Sequence, residues 1–163
     1  MALGAAFAAW AAPAAGLSLR ERIETRRFPS VFQAWTPAQV PGEAPDRTLA
    51  RHDLVWGSPR LLGLEWDGPA PGLATRFRQE TIGRARQRRH HLLALNPHLV
   101  LLCEIRYRDA AAGWLGGLEH PWWLRDESGR VVPGWEEGGF YRLDFRLEAF
   151  RRQAAAQAAA ATA

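Results

Sequence analysis

The chain has 163 residues, of which 47% are hydrophobic and 23% charged, and these proportions suit one globular domain and exclude a disordered polar chain. The net charge is +4, but all 21 basic residues are arginine and they alternate with Glu and Asp. A nucleic-acid surface needs clustered basic residues, so DNA and RNA rank last as predicted partners. The single cysteine, Cys103, excludes an internal disulfide, and no motif has zinc-site spacing, so we predict no metal and no cofactor.

Residues 1–16 form an apolar, alanine-rich segment. Small residues at 12–15 offer a cleavage site for signal peptidase, but no basic residue precedes the apolar stretch. Two alternatives stay open: a secreted or periplasmic protein if the segment is a signal peptide, and a cytoplasmic one otherwise. The segment is shorter than the roughly 20 apolar residues that cross a bilayer, so no membrane span is predicted.

Two short strands are predicted before the first long helix. The first covers 31–35 and ends at a Thr-Pro pair. A loop rich in Pro and Gly follows, and the second strand lies within 49–58, where Gly57 ends it.

A helix and a buried strand are predicted next. From 74 to 95 apolar residues recur at roughly helical intervals, and Asn96-Pro97 ends the helix. The near-continuous apolar run within 99–107 is the strongest predicted strand and is typical of a parallel strand covered on both faces. Helix, turn and buried strand together form the second half of a βαβ unit.

Beyond residue 109 a long irregular segment carries four tryptophans among glycines and prolines. A loop of this length inside a compact domain is usually functional. A fourth strand is predicted at 141–145 and an alanine-rich helix at 147–160.

The predicted fold is α/β: a partial (β/α) TIM-type barrel of about three or four strand-helix units. The incomplete barrel would occupy 28–150, and 151–163 would form an alanine-rich helix or a frayed tail. A closed barrel has eight strands and usually about 250 residues, so we expect a truncated, opening half.

Several short motifs between 28 and 145 form a recognisable set. They are Phe28-Pro29-Ser30 through Trp35, Leu49 to Val55, Asn96-Pro97 before Leu99 to Glu104, Trp122 to Asp126 with Gly129, and Leu143-Asp144-Phe145. This set resembles the N-terminal part of glycoside-hydrolase-like (β/α)-barrel proteins. The resemblance implies a barrel and a sugar-processing ancestry, but it assigns no catalytic residue. Such proteins need further strands with acidic tips after Leu143-Asp144-Phe145, and this sequence has none.

Glu104 and Asp109 are the candidate catalytic residues. Barrel active sites lie at the carboxyl ends of strands, and glycoside hydrolysis needs two carboxyl groups. Glu104 interrupts an apolar run and alternation places it on the same face as Arg106. The alternative for Glu104 is a structural ion pair with Arg106. The alternative for Asp109 is a turn-capping role.

The candidate substrate-binding residues are aromatic or polar side chains near strand ends. Aromatic rings suit the apolar faces of sugars, whereas hydroxyl groups need polar partners. The set consists of Trp35, Asp53, Arg106, Trp122, Trp123 and Asp144. For the two aspartates a structural role is the alternative, and for the tryptophans it is core packing. Cys103, on the buried strand, is predicted to be inert packing.

Carbohydrate is therefore the predicted ligand, with hydrolysis of O-glycosyl bonds the predicted activity if further strands complete the barrel. The alternative is a non-catalytic fragment or interaction module whose missing half comes from a partner chain. A half barrel leaves strand edges unpaired, so a homodimer is a further prediction.

Overall fold

The computed structural model describes residues 16–26, 31–34 and 39–162. Most of the apolar N-terminal segment lies outside these ranges, as do Phe28-Pro29-Ser30 and Trp35. Within them, the chain has a mixed α/β architecture with a three-stranded parallel sheet and a separate two-stranded antiparallel sheet.

The described ranges contain nine helices and strands. The helices are α1 (Leu19–Glu24), α2 (Pro45–Ala50), α3 (Gln79–Leu95) and α4 (Glu148–Thr162), and the strands are β1 (Phe32–Ala34), β2 (Leu54–Gly57), β3 (Val100–Cys103), β4 (Asp109–Ala111) and β5 (Phe140–Arg142). Short 3-10 turns lie at Pro59–Leu62, Pro71–Leu73 and Ala112–Leu115.

The parallel sheet has the order β1-β2-β3, with α2 between the first two strands and α3 between the last two. Val55 pairs with Leu101, and Gly57 pairs with Cys103. One further hydrogen bond extends the ladder, because the amide of Glu104 donates to the Gly57 carbonyl at 2.8 Å. Glu104 is thereby fixed at the carboxyl edge of the sheet.

A closely packed apolar cluster joins this sheet to its helices. Leu49 from α2, Val55 from β2, Leu92 from α3 and Leu99 before β3 are all almost fully buried. Burial of such side chains stabilises the fold by roughly 1.5–3 kcal/mol each.

The predicted partial barrel is wrong. After β3 the chain does not add another parallel strand; β4 pairs antiparallel with β5, with Asp109 opposite Arg142. The glycine- and proline-rich segment between them offers no helical crossover, and an antiparallel pair needs none. The strand predicted at 141–145 exists in part as β5, but in a different sheet.

The prediction that the third strand is covered on both faces is also wrong. Leu102 is 45% exposed and Cys103 is exposed. Among the described strands β3 pairs only with β2, so it is an edge strand of the parallel sheet.

A second cluster underlies the antiparallel sheet. Trp123, Leu115, Leu143 and Phe150 are each at most 3% exposed and pack with Ala110. This cluster attaches α4 to the β4-β5 sheet through Phe150.

Two glutamine side chains of α4 fasten the other end of the helix. Gln157 is 2% exposed and donates to the carbonyls of Pro71 and Ala74 at 2.7 and 3.0 Å. Gln153 donates to the Ala74 carbonyl at 2.8 Å. The alanine-rich helix is therefore held by specific polar contacts.

Candidate functional site

A cleft of about 810 Å³ opens where the parallel sheet ends and the antiparallel sheet begins. It is lined by Trp56, Glu104, Ile105, Arg106, Tyr107, Arg108, Asp109, Trp135 and Phe140. In open α/β sheets, ligands bind at the carboxyl ends of the parallel strands, which is where Trp56 of β2 and Glu104 after β3 lie. The position and the lining make this cleft the candidate site.

Glu104 and Arg106 form an ion pair in the lining of the cleft. Nε of Arg106 lies 3.2 Å from Oε1 of Glu104, and the Glu104 side chain is only 15% exposed. Both residues belong to the segment between β3 and β4. The carboxylate is therefore oriented, charge-balanced and largely shielded from solvent.

Asp109 and Arg108 form a second pair. Nη2 of Arg108 lies 2.9 Å from Oδ2 of Asp109, whose side chain is 8% exposed, while that of Arg108 is 73% exposed. Gly134 packs directly against this carboxylate, because a Cβ at residue 134 would lie 2.8 Å from the Asp109 Cβ and 3.1 Å from its Oδ2. The backbone at Gly134 thus fixes where the Asp109 side chain can lie.

An aromatic wall completes the cleft. The rings of Trp135 and Phe140 meet edge to face, with centroids 5.4 Å apart and an angle of 85°. The Arg106 guanidinium carbon lies 4.7 Å from the centroid of the Phe140 ring, a cation-π contact. A continuous contact chain therefore runs from Glu104 through Arg106 and Phe140 to Trp135.

The predicted site residues Glu104, Arg106 and Asp109 all line this cleft. Asp53 does not join them. It precedes β2, at the amino end of the strand, and its carboxylate accepts a hydrogen bond from the Val31 amide at 3.1 Å. Trp35 lies outside the described residues.

Asp144 also lies apart from the cleft lining. Its two carboxylate oxygens each accept a hydrogen bond from the Arg146 guanidinium at 2.8 Å. These hydrogen bonds hold the pKa of Asp144 below its usual value. The residue acts locally, where the chain turns from β5 into α4.

The predicted Trp122-Trp123 pair packs in the interior cluster. Trp123 is 2% exposed, and its indole Nε1 donates to the Gly117 carbonyl at 2.7 Å. Trp122 packs against Phe150 and against the His120 ring. Because Trp123 is buried, it cannot touch a ligand in the cleft.

Sequence reasoning missed Trp56, Tyr107, Trp135 and Phe140 as site residues. Trp135 lies in a loop without hydrophobic periodicity and Phe140 is the first residue of β5, just after that loop, so no pattern placed them opposite Glu104. The available signal was the spacing of Gly134, Gly138 and Gly139 around the exposed aromatic Trp135.

Among the described residues, no group of three or more His, Cys, Asp or Glu side chains is placed to hold a metal ion. None of the described helices is both long enough and apolar enough to cross a membrane. Comparisons with protein-family models, with curated proteins and with solved structures found no match. Function is therefore inferred from the chemistry of the cleft.

Proposed function

We propose that this protein binds carbohydrate in the cleft between its two sheets. The observation that carries the proposal is the combination of two carboxylate-guanidinium pairs with an aromatic wall in a single open cleft. Ligand sites are typically lined by apolar and aromatic groups with a few placed polar groups, as this cleft is.

The chemistry of a sugar matches these two kinds of lining. The C-H groups on a face of a pyranose ring are apolar and pack against aromatic rings, which removes apolar surface from water. The hydroxyl groups need donors and acceptors, which the guanidinium of Arg106 and the carboxylates of Glu104 and Asp109 provide.

The charge balance favours a neutral sugar over an acidic or amino sugar. Two carboxylates and two guanidinium groups line the cleft, and each carboxylate is paired with a neighbouring arginine. An ionic ligand would have to compete with these pairs. A neutral oligosaccharide can accept and donate hydrogen bonds without breaking them, so its affinity should depend little on salt.

Hydrolysis of an O-glycosyl bond is the second candidate function. It is favoured by the presence of Glu104 and Asp109 in the same cleft, since one carboxyl group must protonate the leaving oxygen and another must attack carbon or activate water.

Isothermal titration of the full chain with neutral oligosaccharides of several linkages tests the binding proposal. We expect Glu104→Gln and Asp109→Asn to weaken binding about tenfold or more, because each removes a charged acceptor. Glu148→Gln is the matched control, since Glu148 pairs with Arg152 on the exposed surface of α4. A folded wild-type protein that binds no member of the panel would contradict the proposal.

The same variants separate binding from hydrolysis. Oligosaccharides that bind are incubated with the protein and the products are separated by chromatography. If the chain is a hydrolase, Glu104→Gln should lower the rate of cleavage by at least about a hundredfold, the usual scale for an acid-base group. Cleavage that persists in both Glu104→Gln and Asp109→Asn would rule out these residues as the catalytic carboxyl groups.

A further inference from the structure

We infer that Trp135 is the stacking platform for the sugar ring and that Gly138 is the residue that positions its indole. This inference rests on the proposed carbohydrate function and assigns a binding residue and a positioning residue within the same cleft. It also restricts the ligand to sugars that present a face of C-H groups.

The indole of Trp135 lies directly over the backbone of Gly138. A Cβ added at residue 138 would lie 2.5 Å from Cζ3 and 2.8 Å from Cδ2 of the indole. Side-chain carbon atoms do not approach one another so closely, so only glycine permits this position of the ring.

The rest of the loop holds the platform in place. Gly139 adopts a left-handed φ of +66° and its amide donates to the Glu136 carbonyl at 2.9 Å. The Phe140 amide donates to the Trp135 carbonyl at 3.0 Å. The edge-to-face contact with Phe140 gives the indole a further packing partner. Backbone and side chain of Trp135 are therefore both fixed before any ligand arrives.

Although it is held in this way, Trp135 remains 53% exposed. Large aromatic side chains normally bury most of their surface, and Trp123 in the same segment is 2% exposed. The glycine backbone covers one side of the indole, and the exposed remainder borders the cleft that holds Glu104 and Asp109.

A preset platform has an energetic consequence for binding. Immobilising a side chain on association costs conformational free energy, and a ring already held by the fold avoids that cost. Stacking on it requires an apolar ring face, while the hydroxyl groups at the ring edge reach Arg106 and the two carboxylates. A sugar with a polar substituent on the stacking face fits less well.

The experiment compares four variants in titrations with a neutral oligosaccharide that binds the wild type. Trp135→Ala and Gly138→Ala should each lower affinity about tenfold or more. For Gly138→Ala we expect this loss even though Trp135 is still present. Trp135→Phe should recover part of the affinity, because a smaller aromatic ring can still stack. Gly83→Ala, in α3, should bind like the wild type, since a Cβ there meets nothing within 4 Å.

Circular dichroism and thermal unfolding establish that each variant is folded, and the Trp135→Phe and Gly83→Ala variants keep the comparison decisive if one substitution fails to fold. Wild-type affinity in Trp135→Ala or Gly138→Ala, with weakened binding in Glu104→Gln, would overturn the platform and leave carbohydrate binding standing. Absence of binding by the folded wild type would overturn both the Trp135 platform and the proposal that the cleft binds carbohydrate.

Discussion

Glu104 influences the residue that precedes it as well as the arginine that it pairs with. Cys103 is exposed at the end of β3, but neighbouring atoms partly desolvate its thiol, which raises its pKa above the ordinary value, and the charge of Glu104 raises it further. The thiolate is the reactive form of cysteine, so a raised pKa slows its reactions. Sequence alone predicted an inert, buried cysteine. In the structure Cys103 is exposed, and slow reaction of its thiol is a prediction that follows from the raised pKa.

This coupling predicts how Cys103 responds to pH and to substitution. At about pH 8, below the raised pKa, alkylation of the wild type by iodoacetamide should be slow, and its rate should increase with pH. Glu104→Gln removes the neighbouring negative charge, lowers the pKa of Cys103 and should accelerate alkylation. Mass spectrometry measures the rate.

Asp109→Asn is the control for this measurement, because the Asp109 charge is not among the causes of the Cys103 shift. The electrostatic account fails if Cys103 is alkylated no faster in Glu104→Gln than in the wild type, while Asp109→Asn also shows the wild-type rate.

At the scale of elements, α4 depends on a buried polar contact. Gln157 satisfies the carbonyls of Pro71 and Ala74, which lie on a turn distant in sequence. Substitution by alanine would leave the Pro71 carbonyl without its donor from the helix, whereas the Ala74 carbonyl would keep Gln153 as a donor. Loss of a donor to a buried acceptor costs roughly 1–3 kcal/mol. The alanines around Gln157 supply little apolar surface to compensate.

We therefore expect Gln157→Ala to lower the free energy of unfolding by about 1–3 kcal/mol, measured by urea denaturation. Gln87→Ala, on the exposed surface of α3, is the matched control and should change stability little. Equal stability of the two variants would show that the Gln157 contacts contribute little to holding α4.

The parallel sheet predicts a property of the whole molecule. Within the described ranges, β1 and β3 each pair with β2 only, and exposed apolar side chains accompany both: Phe32 is 52% exposed and Leu102 is 45% exposed. Strand edges of this kind are templates for pairing with another chain. Association with a second copy or a partner remains the prediction drawn from this geometry.

Sedimentation velocity over a range of concentrations checks this prediction. The wild-type sedimentation coefficient should increase with concentration, and Leu102→Lys should reduce the increase, because a lysine on an edge strand opposes pairing. Leu147→Lys, which replaces an exposed leucine outside the sheet, should leave association unchanged. A concentration-independent monomer in the wild type would contradict edge association.

Much of the parallel unit could be predicted from local pattern. The helix predicted at 74–95 is observed as α3, beginning at Gln79 and ending before Asn96, and the strand predicted at 99–107 is observed as β3 over its first part. Periodicity and stop signals are local, so a single sequence displays them.

The pairing of β4 with β5 could not be predicted in this way. It joins Asp109 to Arg142 across a segment without periodicity, and nothing local distinguishes an antiparallel partner there from the next strand of a barrel. The acidic half of the cleft was found from the sequence, since Glu104 lies in the predicted strand at 99–107 and Asp109 just after it. The aromatic half, which comes largely from beyond that strand, was not.

The close packing of Gly134 under Asp109 and of Gly138 under Trp135 has a consequence for how sequence change would act on this protein. Neither glycine carries a group that could meet a ligand, yet almost any other residue at either position would displace a cleft side chain. In a library of random variants selected for function, these two positions should tolerate replacement least among the surface residues of the loop. In related sequences, Gly134 and Gly138 should then vary as little as Glu104 and Asp109.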